Sequence, residues 1–334
     1  MPFPGLLVVD PRAVLVMMSD DRKCSGEPSR SACASSPSRM LHSWLELIRV
    51  PNLLTVPGDP LAGFLLAGGK GGEGACVLAM ASAMCFYVLG LITNDLRDLA
   101  EDAEKRPQRP LPSGRVPLLQ ARLTAWLLGC GGLICAAFAG GMVPISAVVL
   151  LALVLIYNRW TKGRRGIGPL TMGLCRGMSV LLGAAAGAGS SGVLSGALVL
   201  AATTVVYIAV VTAIAAGETG TQQLGQRRLL PLVTLGVGGF AFWRVLAGFS
   251  INPIAVVPFL GAIAVCMLVA RALRGSVAPT ICQRCIGKLI GVLILMQAAA
   301  AAATVEGCGG VVLAVGGGGL WWAFTRLGRW FYSS

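Results

Sequence analysis

The chain has 334 residues, of which 55% are hydrophobic and only 12% are charged, and its formal net charge is +13. A soluble domain carries roughly 25% charged residues, so this composition cannot cover the surface of a soluble protein. The positive charge alone would suggest nucleic acid, but the basic residues lie in short loops between apolar segments, which is typical of a membrane protein. We therefore expect a membrane protein with no nucleic-acid partner.

The first 40 residues differ in composition from the rest of the chain. They are rich in Ser, contain acidic residues and lack an apolar run long enough to cross a membrane. We expect residues 1–40 to be a disordered extension, or to reflect a start codon assigned too early, with Met40 as the true start. A signal peptide or a transit peptide fits this composition poorly. Residues 41–334 are predicted to form one membrane domain.

Apolar blocks of about 20 residues, the length that a helix needs to cross a bilayer, recur through this domain. They predict spans at residues 44–68, 75–93, 117–139, 143–158, 168–188, 195–216, 229–248, 252–270, 283–303 and 308–325. The last block is the weakest helix because it contains four consecutive glycines, so nine or ten spans are predicted. The predicted fold class is an all-α integral membrane protein.

Basic residues are concentrated in alternate loops, at residues 97–115, 159–165, 227–228 and 271–288, whereas the opposite loops contain Lys70. The positive-inside rule places the basic loops in the cytoplasm, which predicts a multi-pass protein of the plasma or inner membrane. Arg326 and Arg329 fall on the same side only if there are ten spans and both termini are cytoplasmic. That placement favours ten spans over nine.

Acidic residues are scarce, yet four of them lie between Asn94 and Asp102, at the end of the second predicted span. If the helix continues through this segment, Asp95, Asp98 and Asp102 fall at positions i, i+3 and i+7 and share one face. Three carboxylates on one face repel each other, and Mg²⁺ accepts such oxygen ligands together with substrate phosphate. The spacing predicts a magnesium site. The alternative is a solvated acidic helix end that balances neighbouring basic residues.

A loop with three arginines follows at residues 106–115. Its three prolines within six residues exclude a helix and stiffen the chain, so the arginines are expected to be held in place. A planar guanidinium suits a diphosphate because it donates two parallel hydrogen bonds. The alternative is a plain connecting loop, since prolines commonly mark turns.

These residues carry a resemblance to a known family. The pattern N-D-x-x-D-x-x-x-D at residues 94–102, followed by R-P-x-R-P-L-P-S-G, resembles the signature of the UbiA superfamily of intramembrane prenyltransferases. Residues 49–52 and 60–63 resemble the first helix of that family, and Tyr157 with Lys162 resembles its loop between spans four and five. Residues 172–177 resemble in particular the EboC-like branch. The resemblance covers residues 44 to about 300.

The resemblance implies a helical bundle around a central cavity that opens sideways to lipid, built from two related halves that each end a span with an acidic motif. It implies that Asp95, Asp98 and Asp102 hold Mg²⁺ against a diphosphate. The residues implied to assist, to contact the diphosphate or to line its pocket are Asn94, Arg109, Tyr157, Lys162, Arg49 and Asn52. The implied partners are a polyprenyl diphosphate donor, an apolar or aromatic acceptor and the membrane lipid.

The second half departs from the family pattern. After the sixth predicted span, residues 211–219 contain one acid, Glu218, and no aspartate. A second magnesium ion would have to rely on Glu218, on Gln222 or Gln223, on water and on the diphosphate itself. Glu218 is therefore included among the predicted catalytic residues, together with the three aspartates of the first motif.

Arg176 stands in the middle of the fifth predicted span. A charge at that depth is costly and usually faces a cavity or a partner, so it is a functional hypothesis by default. We expect it on the pocket wall, near the diphosphate or Glu218. The alternative is a structural ion pair inside the bundle.

Two functions remain open at this point. The intact first motif favours a magnesium-dependent prenyltransferase, because a carrier of neutral lipid would need no site for a metal and a diphosphate. The incomplete second motif favours a non-catalytic membrane protein that binds or transports a prenylated or apolar metabolite. We predict the enzyme.

Overall fold

The computed structural model of the protein describes residues 37–187, 194–216, 222–247 and 250–331. Its helices are α1 (Pro37–Leu47), α2 (Val50–Leu53), α3 (Gly58–Leu66), α4 (Gly72–Arg97), α5 (Leu99–Lys105), α6 (Leu118–Ala139), α7 (Val143–Ile156), α8 (Ile167–Gly187), α9 (Leu194–Ala215), α10 (Leu230–Leu246), α11 (Val256–Ala272), α12 (Pro279–Thr304) and α13 (Gly307–Phe331). Short π or 3₁₀ turns precede α8, α10 and α11, at Tyr157–Thr161, Gly225–Leu229 and Pro253–Ala255. Two-residue strands β1 (Gln222–Gln223) and β2 (Ser276–Val277) pair antiparallel.

Within the described ranges, nine helices are long and apolar enough to cross a membrane. They match the second to the tenth predicted spans, and the glycine-rich last one is helical from Gly307 to Phe331. A helix suits this environment because it satisfies its own backbone hydrogen bonds where no water is present. The protein is an all-α, multi-pass integral membrane protein, as predicted.

The prediction of one helix over residues 44–68 is wrong, because α1, α2 and α3 divide that segment. Arg49 adopts a left-handed conformation with φ of 50° between α1 and α2, and Pro57 precedes α3. These interruptions leave the backbone carbonyl of Thr55 outside a regular helix. That carbonyl accepts hydrogen bonds from Arg176 at 2.7 Å and from Gln297 at 2.9 Å.

The bundle is organised around two buried helices. Helix α8 packs against α3, α4, α7 and α9, and α12 packs against α3, α9, α11 and α13. The contact between α3 and α8 is close because both lack side chains there: a Cβ atom on Gly63 would meet the backbone of Val180, and one on Gly183 would meet the backbone of Pro60. Small residues permit such close helix packing in membranes.

The helix that carries the acidic motif does not continue through it without interruption. Helix α4 ends at Arg97, α5 begins at Leu99, and Asp98 lies at the junction with φ of −82° and ψ of 3°. The predicted arrangement of three aspartates along one continuous helix is therefore corrected. Asp95 belongs to α4 and Asp102 to α5, on either side of the junction.

Some predictions concern residues outside the described ranges. The predicted disordered extension falls there up to residue 36, whereas Pro37 and the residues after it form α1. Glu218 and its neighbours, which replace the second acidic motif, also lie outside the described residues.

Candidate functional site

A cavity of about 330 Å³ lies between α4, α7 and α8, under the turns that connect them. Most of its charged and amide-bearing residues gather where α4 ends, and its inner wall is largely apolar apart from Arg176 and Ser179. The first group is Arg49, Asn94, Asp98, Arg106, Arg109, Asn158 and Lys162. The apolar wall includes Val56, Ala83, Phe86, Leu150 and Val154.

Asp95 is buried and is paired with Arg49. Its Oδ1 accepts hydrogen bonds from the Arg49 guanidinium at 3.0 Å and from the Asn94 amide at 3.2 Å. Arg49 is the one residue other than glycine with a positive φ in the part of the chain that the structure describes. Backbone strain of this kind persists where the surrounding structure demands it, often at functional sites. The strained turn brings the Arg49 side chain to the cavity.

Asp98, at the junction of α4 and α5, is paired with the ammonium group of Lys162. The π-helical turn Tyr157–Thr161 sets the position of this lysine, whose backbone N–H donates to the Tyr157 carbonyl at 2.9 Å. The amide of Asn158 fixes the turn to α4, since it donates to the Gly90 carbonyl at 2.9 Å and to the Thr93 hydroxyl at 2.7 Å. Single π-helical turns are frequent at functional sites.

Asp102 is buried, and its Oδ2 accepts a hydrogen bond from Arg109 at 2.6 Å. The loop of residues 106–115 is therefore held against α5 and not free in solvent. Arg115 ties its far end to α1 through Glu46, at 2.9 Å. Glu101, the fourth acid of the motif, is exposed, and a hydrogen bond from Lys105 lowers the pKa of its carboxyl group.

The donor set suits Mg²⁺, because carboxylate and amide oxygens are hard ligands. Each of the three aspartates is paired with a different cation, however. Among the described residues, no group of three or more His, Cys, Asp or Glu side chains is placed to hold an ion. These residues therefore fit an ion held by one or two carboxylates and by substrate phosphate oxygens, a usual arrangement for Mg²⁺.

Arg176 is buried on the cavity wall and forms an ion pair inside the bundle, which was the alternative expectation, and its proximity to the diphosphate or to Glu218 stays a prediction. Its Nη2 lies 2.8 Å from Oδ2 of Asp59. Gln297 on α12 completes this polar cluster by donating to Oδ1 of Asp59 at 2.5 Å. Asp59 and Gln297 were not among the predicted site residues, although a polar residue inside an apolar segment is itself a signal.

The structure places the remaining predicted residues as follows. Tyr157 and Lys162 line the cavity, whereas Asp95 and Asp102 reach it through their partners Arg49 and Arg109. Asn52, which was predicted, lies beside Tyr87. Tyr87 lines the cavity and was not predicted. Arg106, one of the arginines of the loop at residues 106–115, also lines the cavity, and so do Asn158 and Ser179, which were not predicted.

A second cavity, of about 370 Å³, lies among α9, α10, α11 and α12. Its lining is apolar or uncharged, with aromatic side chains such as Phe242, Trp243 and Phe259. A cavity without charged side chains cannot neutralise an anionic substrate. The first cavity is therefore the candidate site.

Comparison with known proteins agrees with this architecture. The model of the UbiA prenyltransferase family matches residues 60–276, which is more than half of the chain. Similar sequences include digeranylgeranylglyceryl phosphate synthases of Methanococcus aeolicus, 31% identical over 145 residues, and of Methanopyrus kandleri, 35% identical over 149 residues. The first match covers 42% of this chain and 51% of the relative, and the second covers 44% and 54%. The chain thus spans about half the length of these curated relatives.

Solved structures with the same fold include a UbiA homologue from Aeropyrum pernix K1, with a TM-score of 0.59 and 18% identity, which covers 74% of this chain and 96% of the homologue. Another is a UbiA homologue from Archaeoglobus fulgidus bound to DMAPP and Mg²⁺, with a TM-score of 0.55 and 14% identity, covering 85% and 99%. At these identities the likeness establishes the fold. The family match, the shared bundle and the cavity at the end of α4 together show that the chain belongs to the UbiA prenyltransferase family.

Proposed function

We propose that the protein transfers a prenyl group from a polyprenyl diphosphate to a lipid-soluble acceptor, with Mg²⁺ as cofactor. The observation that carries this proposal is one cavity with a cationic end and an apolar wall. An amphipathic donor with an anionic head and a hydrocarbon tail matches both parts. The similar digeranylgeranylglyceryl phosphate synthases, and the A. fulgidus homologue bound to DMAPP and Mg²⁺, support it.

The cationic end would bind the diphosphate. Arg106, Arg109 and Lys162 line the cavity there, together with Arg49. Charge-assisted hydrogen bonds from these groups would neutralise the negative charge that the leaving diphosphate gains, which lowers the barrier to ionisation. Arg49, Arg109 and Lys162 are now paired with aspartates, so donor binding requires these cations to share or exchange their partners.

The predicted ligands of the magnesium ion are Asp95, Asp98 and Asp102, with Asn94 beside them, and one or two of these carboxylates would hold the ion together with diphosphate oxygens. When bound, Mg²⁺ supplies further positive charge against the diphosphate. Of the three aspartates, Asp98 lines the cavity, so we assign it the direct contact with the magnesium ion. Glu218 stays the predicted acid of the second half.

The apolar wall would bind the first isoprene units and exclude water. Phe86, Leu150 and Val154 line this part of the cavity. An allylic cation survives long enough to meet its acceptor only where water cannot reach it. We propose that the reaction occurs at the cytoplasmic face of the plasma or inner membrane, the side that the positive-inside rule predicts for the basic loops.

Binding of geranylgeranyl diphosphate to the purified protein in lipid nanodiscs tests the proposal. We expect binding that requires Mg²⁺ and is lost on chelation. Incubation with radiolabelled donor and a membrane lipid extract should then give a prenylated product. Donor binding without product would instead support the alternative, a non-catalytic binder or transporter of a prenylated or apolar metabolite, and the absence of donor binding would overturn the proposed enzyme. The EboC-like assignment stays a prediction.

A further inference from the structure

The inner wall of the candidate cavity carries two polar residues that the donor does not explain. Arg176 and Ser179 lie three residues apart on α8, so they share one face of that helix, and both line the cavity. Their exposed fractions are 7% and 4%. A prenyl tail offers neither residue a hydrogen-bond partner.

Both residues have an unused hydrogen-bonding group. The contacts of Arg176 with Asp59 and with the Thr55 carbonyl use Nη2, and its Nε has no hydrogen-bond partner among the described residues. The hydroxyl of Ser179 likewise has none within that part of the chain. Buried polar groups are nearly always hydrogen-bonded, so an oxygen atom from a ligand is the expected partner.

The charge of this region distinguishes it from the cationic end. Asp59 lies 2.8 Å from Arg176 and balances its charge. The Gln297 amide donates to the same carboxylate and so fixes Asp59 in place. An anionic ligand would have to compete with this buried carboxylate, whereas a neutral oxygen would not.

We infer that Arg176 and Ser179 form a polar subsite that binds the acceptor through a neutral hydroxyl or carbonyl oxygen, an inference that rests on the proposed function. The donor head occupies the cationic end, and the acceptor approaches it from the inner wall. Asp59 is a positioning residue: it holds the Arg176 guanidinium and sets the preference for a neutral ligand. The acceptor class is therefore an uncharged, oxygen-bearing lipid.

The test compares a neutral lipid, geranylgeranylglycerol, with its anionic phosphate ester, geranylgeranylglyceryl phosphate, on the full protein in nanodiscs. Their affinities are measured by calorimetry in the presence of Mg²⁺ and of a non-hydrolysable geranylgeranyl diphosphate analogue. We expect the neutral lipid to bind at least about tenfold more tightly, since the phosphate meets the buried Asp59 carboxylate. Equal binding, tighter binding of the phosphate, or no binding of the neutral lipid would overturn the inference.

Two variants locate the ligand. Ser179→Ala should weaken binding of the neutral lipid about tenfold, by loss of one buried hydrogen bond, while the affinity for the diphosphate analogue is unchanged. Ser82→Ala is the matched control, because the Ser82 hydroxyl is equally buried and unpaired among the described residues but does not line the cavity. If Ser82→Ala and Ser179→Ala change the affinity for the neutral lipid equally, the subsite does not exist.

Asp59→Asn should reverse the preference, because Arg176 then presents an unbalanced positive charge to the ligand. The phosphate lipid should become the tighter ligand, and an unchanged preference would contradict the role of Asp59. Ser179→Ala decides the matter if Asp59→Asn does not fold. If the unmodified protein does not bind the diphosphate analogue, the proposed function is refuted. Failure of the proposed function is therefore distinguishable from failure of the acceptor subsite.

Discussion

Arg109 donates a hydrogen bond of 2.6 Å to Asp102, so a residue of the proline-containing loop and a residue of the acidic motif neutralise each other. Asp95 with Arg49, and Asp98 with Lys162, repeat this arrangement. The mutual repulsion expected of three neighbouring carboxylates is thus relieved by three separate cations. The donor and its metal would therefore replace existing ion pairs on binding.

The first prediction concerns Asp98. Asp98→Ala should reduce magnesium-dependent binding of geranylgeranyl diphosphate by at least about tenfold, because one of the few oxygen ligands for the ion is removed. Calorimetry at several Mg²⁺ concentrations measures this. Glu101→Gln is the control: Glu101 belongs to the same acidic motif but is exposed and paired with Lys105. An equal effect of the two changes would contradict the role of Asp98.

The second prediction concerns Lys162. Lys162→Gln should weaken diphosphate binding by about 1.5–3 kcal/mol, which is roughly 10- to 150-fold in Kd, because a charge-assisted hydrogen bond is lost. Lys105→Gln removes an equal charge from an exposed ion pair and should change the Kd little. A Kd of Lys162→Gln within twofold of the unmodified protein would show that Lys162 does not contact the donor.

The third prediction is about stability. Asp59→Ala should lower the free energy of unfolding by about 3–5 kcal/mol, because it leaves the buried Arg176 cation without its counter-charge. Denaturant unfolding in detergent micelles measures the change. The double variant Asp59→Ala with Arg176→Leu should recover much of the loss, since no uncompensated charge remains. Failure to recover would mean that the pair is not the source of the effect.

The fourth prediction tests the close packing of α3 and α8. Gly183→Ala should destabilise the protein by about 1–3 kcal/mol, because its Cβ would meet the backbone of Pro60 and the helices would have to move apart. Gly131→Ala on α6 is the matched change: a Cβ there meets nothing within 4 Å. It should be neutral or stabilising by up to about 1 kcal/mol. Thermal unfolding of the two variants side by side gives the comparison.

Much of the fold followed from the sequence because the bilayer imposes a simple rule on length and apolarity. In the part of the chain that the structure describes, nine long helices lie where apolar blocks predicted them, even over the glycine-rich residues of α13. The segment predicted as the first span is divided into three helices, because apolar composition does not reveal a left-handed turn at Arg49. The break at Asp98 was not predicted either, because the spacing i, i+3 and i+7 assumes an uninterrupted helix and does not reveal a change of backbone conformation.

The sequence by itself determined that the chain crosses a membrane repeatedly and that its acids and arginines gather where α4 ends, since both are properties of residue type and order along the chain. Only the tertiary structure decided which charges pair. Asp59 meets Arg176 across 117 residues of chain and Gln297 across 238, because α3 packs against both α8 and α12 in the bundle. Helix packing brings together partners that are so far apart in sequence, and no local sequence pattern predicts it.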